Sequence, residues 1–181
     1  MKNKLIVLSG PSGVGKGTIA KILVERNDDI ALSISCTTRS PRPKEKHGRE
    51  YFFITKDEFK NKINSNGFIE YSEHFENFYG TPRDFVEEKL TNSHVLLEID
   101  VNGGLEVKKN FPEAQLILVV PPSIEELRKR LVGRNTESEE KINIRFQRIE
   151  YELSKKDQYD FVVINDKLLD AVSEIEKIIK N

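Results

Sequence analysis

A single cysteine, Cys36, in 181 residues rules out an intrachain disulfide framework. On its own, Cys36 reads as a small, half-buried residue. The three histidines, His47, His74 and His94, stand at no spacing, among themselves or with Cys36, that would gather a metal. No apolar run approaches the roughly 20 residues needed to span a bilayer. Met1-Lys2-Asn3-Lys4 leads straight into a strand-like stretch without a signal-peptide block. A cytoplasmic protein without membrane contact is therefore expected. Neither sign of charge is in excess: Lys+Arg 29 against Asp+Glu 30 leaves a net charge of −1, which gives a nucleic-acid partner no support. Basic residues gathered around a small phosphate ligand would not show in that total. Repeats and low-complexity tracts are lacking as well.

What is present fits one globular unit, with 37% hydrophobic and 33% charged residues. Continuous apolar runs at Leu5–Leu8, His94–Ile99, Leu116–Val120 and Phe161–Ile164 predict buried strands, and Ile30–Cys36 and Tyr51–Ile54 predict two more. Phe68–Ser72 suits a short strand and Phe78–Thr81 a turn. Ile19, Ala20, Ile22 and Leu23 recur at helical spacing. Thr55-Lys56-Asp57-Glu58 and Ser123-Ile124-Glu125-Glu126 are capping boxes, the first opening a helix that Asn66-Gly67 ends and the second a helix to Leu131. Pro82 occupies a first helical position behind Thr81. A helix to about Lys156 follows the charged stretch Gly133–Glu140. A last helix over 168–179 presents Leu169, Val172, Ile175 and Ile178 on one face.

Strands alternating with helices predict an α/β layer fold with a mostly parallel sheet. Its core is expected from 1–36, 94–125 and 151–181. Two segments fit that scheme poorly, 37–93 and 126–150, and read as inserted, mobile parts.

Gly10-Pro11-Ser12-Gly13-Val14-Gly15-Lys16 matches the G-x-x-x-x-G-K phosphate loop, and it lies between a strand and a helix as that motif requires. Its glycines let backbone N–H groups converge on an anion, the helix N-terminus adds positive partial charge, and Lys16 supplies a full charge toward a donor's outer phosphates. The hydroxyl residue that usually follows the lysine is Gly17 here, with Thr18 one place later. Asp100, at the carboxyl end of a strand, stands where a metal-facing carboxylate belongs, and equally where a helix cap does. Arg39 and Arg42 are spaced to fork onto one phosphate from a single loop, with Tyr51 in reach of it.

The phosphate loop with Gly17-Thr18, then Thr37-Thr38-Arg39-x-Pro41-Arg42, Glu45, Gly48 and Tyr51-x-Phe53, resembles the guanylate kinases. The similarity continues through Phe68-Ile69-Glu70-Tyr71, Tyr79-Gly80-Thr81, Glu98-Ile99-Asp100, Gly103, Arg134-x-Thr136-Glu137 and Asn165-Asp166, from about Leu5 to Ile179. The resemblance implies a P-loop NTPase-type three-layer fold and Mg²⁺-dependent transfer of the ATP γ-phosphoryl group to GMP, and to dGMP. It implies a GMP-binding segment at 37–93 and a lid at 126–150. Arg39, Arg42, Tyr51 and Tyr79 match the positions that hold the GMP phosphate, with Glu45 orienting Arg42 and its neighbours. Ser35, Glu70 and Thr81 match those that read guanine, and Thr81 is also a candidate cap before Pro82. Glu98 and Asp100 match acidic positions near acceptor and metal, with Thr18 a further candidate for the metal, directly or through water. Arg130, Arg134, Arg145 and Arg148 match the lid and the helix behind it, and Asn165 a position beside adenine. Lys44 and Asn135 depart from the family's glycines. Guanine's edge offers two donors beside a carbonyl, which an ionised Glu70 and the Ser35 and Thr81 hydroxyls complement. A non-catalytic peptide-docking relative and a sugar-phosphate kinase are the rival readings, and monomer and homodimer both stay open.

Overall fold

The computed structural model describes residues 2–74, 76–127 and 139–181, the side chains of 139–145 excepted. In chain order its elements are β1 (Leu5–Ser9), α1 (Lys16–Arg26), β2 (Ile30–Leu32), β3 (Cys36–Thr37), β4 (Phe52–Phe53), α2 (Lys56–Asn64), β5 (Phe68–His74), β6 (Asn77–Pro82), α3 (Arg83–Leu90), β7 (His94–Glu98), α4 (Val101–Asn110) and β8 (Gln115–Val120). Then come α5, described over 124–127, α6 (Glu139–Ser154), a 3₁₀ turn (Lys156–Gln158), β9 (Phe161–Ile164) and α7 (Leu168–Lys180). Arg130, Arg134, Asn135 and the predicted helix end at Leu131 lie outside the described residues, as does the side chain of Arg145. Among the described residues no helix is long and apolar enough to cross a membrane.

The central sheet has the order β2-β7-β1-β8-β9, and every pairing in it is parallel. Both faces of β1, β7 and β8 are covered, which is why these strands read as unbroken apolar runs. Successive side chains point to opposite faces. Ile6 and Leu8 pack with Leu96, Ile117 and Val119 under α1 and α7, while Leu5 and Val7 pack with Val95, Leu97, Leu116 and Leu118 toward Val101 and Val107 of α4. This is the expected three-layer α/β architecture.

A second sheet, order β4-β3-β6-β5, carries its own small core of Cys36, Phe59 and Phe68 with Phe52 and Phe78 beside it. Four sequence readings change here. Ile30–Cys36 is not one strand: β2 joins the central sheet, 33–35 leave it, and Cys36 enters the second sheet. Cys36 is fully rather than half buried, and burial pushes its thiol up to about 11, so it stays a neutral filler. Phe78–Thr81 is no turn but most of β6, because its backbone pairs antiparallel with both β3 and β5. Pro82 ends that strand and is the N-cap of α3, whose first helical residue is Arg83.

The last helix buries Ala171, Val172, Ile175 and Ile179, and leaves Leu169 55% exposed, so the core face is rotated from the one expected. The Thr55 capping box is fully formed, each half accepting from the other's backbone, and the Ser123 hydroxyl accepts from the Glu126 N–H.

Lys44 holds φ 77, the left-handed region that favours glycine. Such a conformation costs a side-chain-bearing residue about 1–2 kcal/mol, part of which a glycine's freer unfolded chain takes back. Lys44→Gly is therefore expected to gain about 0.5–1 kcal/mol, read as a melting temperature raised by roughly 2–3 °C.

Candidate functional site

The donor side is built where β1 ends and α1 begins. Gly13 and Gly15 take positive φ, 84 and 100, turning successive N–H groups of the loop inward, and Gly15 is the N-cap of α1. The loop is braced from the far end of the chain. Asn165, buried behind β9, donates from Nδ2 to the Val14 carbonyl at 2.8 Å, and its own N–H bonds the Val120 carbonyl. A Cβ at position 15 would lie 2.7 Å from that amide nitrogen, so only glycine fits against the brace. Asn165 thus serves as a support of the loop, which its motif position did not suggest.

Lys16 folds back over its own loop, Nζ donating to the Gly10 carbonyl at 2.5 Å and the Pro11 carbonyl at 3.2 Å. Burial lowers its pKa, while Glu98, Glu152 and Asp100 pull it the other way. Gly17 borders Glu98. A Cβ there would stand 3.3 and 3.5 Å from the two Glu98 carboxylate oxygens, which fill the place beside the loop lysine. Thr18 follows, exposed, on the first turn of α1.

The side expected to take the acceptor is one face of the second sheet. Residues paired in register share a face, and the registers Thr37↔Tyr79, Thr37↔Phe53, Ser72↔Tyr79 and His74↔Asn77 set it. Strand alternation adds Ser35, Tyr51, Glu70 and Thr81 to the same side. A register shift between Phe68 and Tyr71 lets Phe68 join the aromatic core while Glu70 turns to the opposite face. Thr81 Oγ1 donates to Glu70 Oε1 at 2.6 Å, both residues buried. Thr81 therefore faces the carboxylate rather than capping α3. Burial raises the Glu70 carboxyl to about 7, against the Thr81 hydrogen bond.

Arg39 lies over the rings of Tyr51 and Phe53, at 5.6 and 5.9 Å from their centroids, and the Tyr51 ring contacts Tyr79 edge-on at 6.1 Å. Glu45 accepts both terminal nitrogens of Arg39 at 3.0 and 3.1 Å, and the Arg42 backbone N–H at 2.7 Å. The guanidinium Glu45 orients is thus that of Arg39, not Arg42. It holds Arg42 through the main chain and leaves that side chain exposed.

The two sides meet at Asp100. Its Oδ1 accepts from the Gly103 N–H at 2.8 Å, capping α4, and its Oδ2 takes His74 Nε2 at 2.9 Å and Arg148 Nη2 at 3.4 Å. Arg148 in turn gives Nε to Glu152 Oε1 at 3.1 Å. Glu152 is buried and its carboxyl is raised by that burial. Sequence reading passed over both Glu152 and His74. The i,i+4 spacing from Arg148 was a signal for the first. No local signal existed for the second, because it meets Asp100 only through tertiary folding.

Among the described residues no three acidic, histidine or cysteine side chains converge as a metal cage. Neither Gly17 nor a doubly occupied Asp100 offers a direct ligand. The residues present fit a hydrated Mg²⁺ carried in on phosphate oxygens, the habit of that ion, which Thr18 and Asp100 would hold through water.

A braced phosphate loop lies at the end of β1 and an arginine–tyrosine face on the second sheet; the chain is a phosphotransferase of the P-loop class. The guanylate kinase family model matches residues 2–181. The guanylate kinase of Clostridium acetobutylicum is 49% identical over 179 residues, covering 98% of this chain and 85% of its own. That of Oceanobacillus iheyensis is 49% identical over 181 residues, covering 99% and 88%. A crystal structure of guanylate kinase from Anaplasma phagocytophilum superposes with a TM-score of 0.79 at 32% identity, over 98% of this chain and 85% of that one. Shikimate kinase from Bacteroides thetaiotaomicron, at TM-score 0.57 and 16% identity, shares the fold. The chain belongs to the guanylate kinase family.

Proposed function

We propose that the chain transfers the γ-phosphoryl group of ATP to GMP, with dGMP as a second acceptor, giving ADP and GDP or dGDP. The observation that carries this reading is the buried carboxylate of Glu70, held by Thr81 on the face that also bears Arg39, Tyr51 and Tyr79. A carboxylate accepts from guanine's ring N–H and amino group together, the Thr81 hydroxyl donates to that carboxylate and holds it in place, and the Ser35 hydroxyl serves the carbonyl. Adenine presents an acceptor in place of the ring N–H, and a sugar phosphate presents no such edge.

The segment 37–93 receives GMP, 126–150 closes as a lid, and 1–36, 94–125 and 151–181 form the core. Arg39, Arg42, Tyr51 and Tyr79 hold the GMP phosphate, with Glu45 fixing Arg39. Gly10 to Thr18 cradle the ATP phosphates, and Lys16 neutralises charge on the transferring group. Arg130, Arg134 and Arg145 approach from the lid side, and Glu98 lies between loop and acceptor. Asn165 sets the loop's shape and stands behind it toward the nucleotide.

The acceptor phosphate oxygen is already anionic near neutral pH, so it attacks the γ-phosphorus without a general base, and the β–γ bridging oxygen leaves with ADP. Hydrated Mg²⁺ bound with ATP supplies charge neutralisation between the donor phosphates. What the chain contributes is alignment and positive charge. Both substrates are cytoplasmic metabolites, consistent with a cytoplasmic enzyme.

Release of ADP on adding GMP, dGMP, AMP or ribose phosphates, followed in a coupled assay, tests the reading. GMP should support turnover at least 10³-fold more efficiently than AMP, since buried polar mismatches exclude analogues by that order or more. Equal use of AMP would sink it, and so would binding of GMP without any ADP release.

A further inference from the structure

Arg148 and Glu152, one turn apart on α6, have no task in the transfer as described, yet both are tied into the site. Glu152 is buried, whereas the Arg148 side chain is 48% exposed. The pair is joined through one nitrogen: Arg148 Nε donates to Glu152 Oε1 at 3.1 Å. A guanidinium held at Nε keeps its two terminal nitrogens, the fork that grips a phosphate, available for another partner. Among the described residues that fork has one contact, from Nη2 to Asp100 Oδ2, at a loose 3.4 Å.

Asp100 decides where the fork hangs. Its carbonyl accepts from Ser9 Oγ at 3.2 Å, and Ser9 is the last residue of β1, directly before Gly10. The guanidinium therefore lies beside the root of the phosphate loop. Lys16 registers its presence: burial dominates the lysine's environment, and Glu98, Glu152, Asp100 and then Arg148 all act on its charge. A cation that close to the loop lysine faces the same anion as the lysine does. A buried carboxylate makes a firm hinge for it, because breaking a buried pair is costly while the exposed end of the arm is free to turn.

We propose that Arg148 grips the outer phosphates of ATP, and that Glu152 is the positioning residue that holds its guanidinium for that contact. In the empty protein the fork rests on Asp100. When the triphosphate arrives, Nε stays on Glu152 and the fork exchanges the Asp100 oxygen for phosphate oxygens. Little is lost in the exchange, since the bond given up is long and half-exposed.

The inference rests on the donor half of the function proposed above, and metal-free binding separates the two. The readout is calorimetric titration of the whole chain with ATP and with GMP, each alone and in the presence of a chelator. In Arg148→Met, ATP affinity should fall roughly tenfold, the worth of one charge-assisted contact at a half-exposed site. GMP affinity should change less than twofold. Glu152→Leu should weaken ATP by a similar factor, and Glu152→Gln, which keeps an acceptor for Nε, by less than threefold. The double variant Arg148→Met/Glu152→Leu removes the buried charge together with its partner, so it serves if a single variant fails to fold. Its loss should match that of Arg148→Met alone. Unchanged ATP affinity in Arg148→Met overturns the assignment, as do losses that multiply in the double variant. Equal weakening of ATP and GMP, the mark of a purely structural pair, overturns it too, and so does a glutamine variant no better than leucine. A parent that binds GMP but not ATP overturns the donor reading itself.

Discussion

Glu70→Gln should cost GMP affinity roughly 10²–10³-fold and at the same time make the empty protein more stable above neutral pH. Both effects come from one buried carboxyl. On the proposed function, the parent carboxylate accepts two charge-assisted hydrogen bonds from guanine, each worth about 1.5–3 kcal/mol. A glutamine keeps one acceptor and turns an N–H₂ donor toward a donor, so about 3–4 kcal/mol is lost, which is the stated factor.

The stability effect runs the other way because burial raises the Glu70 carboxyl to about 7. A folded-state pKa above the unfolded one contributes stability that is whole below the unfolded value, near 4.5. That contribution is lost as pH rises through about 7. The loss amounts to about 3 kcal/mol. Glutamine has no proton to lose. Melting curves of parent and variant should therefore nearly coincide near pH 5 and separate by several degrees at pH 8, the variant higher. GMP affinity of the parent should also weaken as pH falls below about 7, relative to the variant at each pH, because protonated Glu70 must first ionise. A parent whose stability does not decline between pH 5 and pH 8 relative to the variant would contradict the buried-carboxyl account.

Lys16→Met is expected to lower turnover roughly 10²–10³-fold, the usual effect of removing one charge-stabilising donor from a phosphoryl-transfer site. Methionine preserves most of the side chain's length and apolar stem, so the loop's packing survives. What goes is a cation that now sits on the Gly10 and Pro11 carbonyls and must swing outward to meet the donor phosphates. GMP affinity in the absence of ATP should change little, since the acceptor face belongs to β3, β4, β5 and β6. Single-turnover measurements with saturating nucleotides, beside calorimetry with GMP alone, separate the two effects. Near-normal turnover in the variant would remove Lys16 from the mechanism.

The central sheet was legible because β1, β7 and β8 are sheathed on both sides and so show as unbroken apolar runs, while β9 at the edge keeps its apolar run with only Val163 buried. Phe161–Ile164 coincides with β9 residue for residue. Caps were legible where the reciprocal bonds are local, as at Thr55 and Glu58. The second sheet was harder because its strands are short and its pairings distant in sequence. Cys36 and Thr37 form a strand only because Gly80 and Tyr79 lie opposite. The Phe78–Thr81 run, expected as a turn, is held straight between two neighbours.

The candidate site divides along the same line. The phosphate loop is contiguous and could be read at once. Glu45's actual partner, Thr81's orientation and the reach of His74 to Asp100 depend on where separate strands meet. Gly17 could be seen as a departure, but the Glu98 carboxylate beside it became visible only in three dimensions.

The amide of Asn165 has a consequence for how the protein matures. Residues 10–16 leave the ribosome early, yet the contact that steadies their curve is made by a side chain synthesised about 150 positions later. The nascent segment can possess its motif without possessing its grip. Capacity to hold a triphosphate should arise only when the final strand docks, so nucleotide-dependent protection from proteolysis would mark the completed molecule and distinguish it from one arrested short of β9.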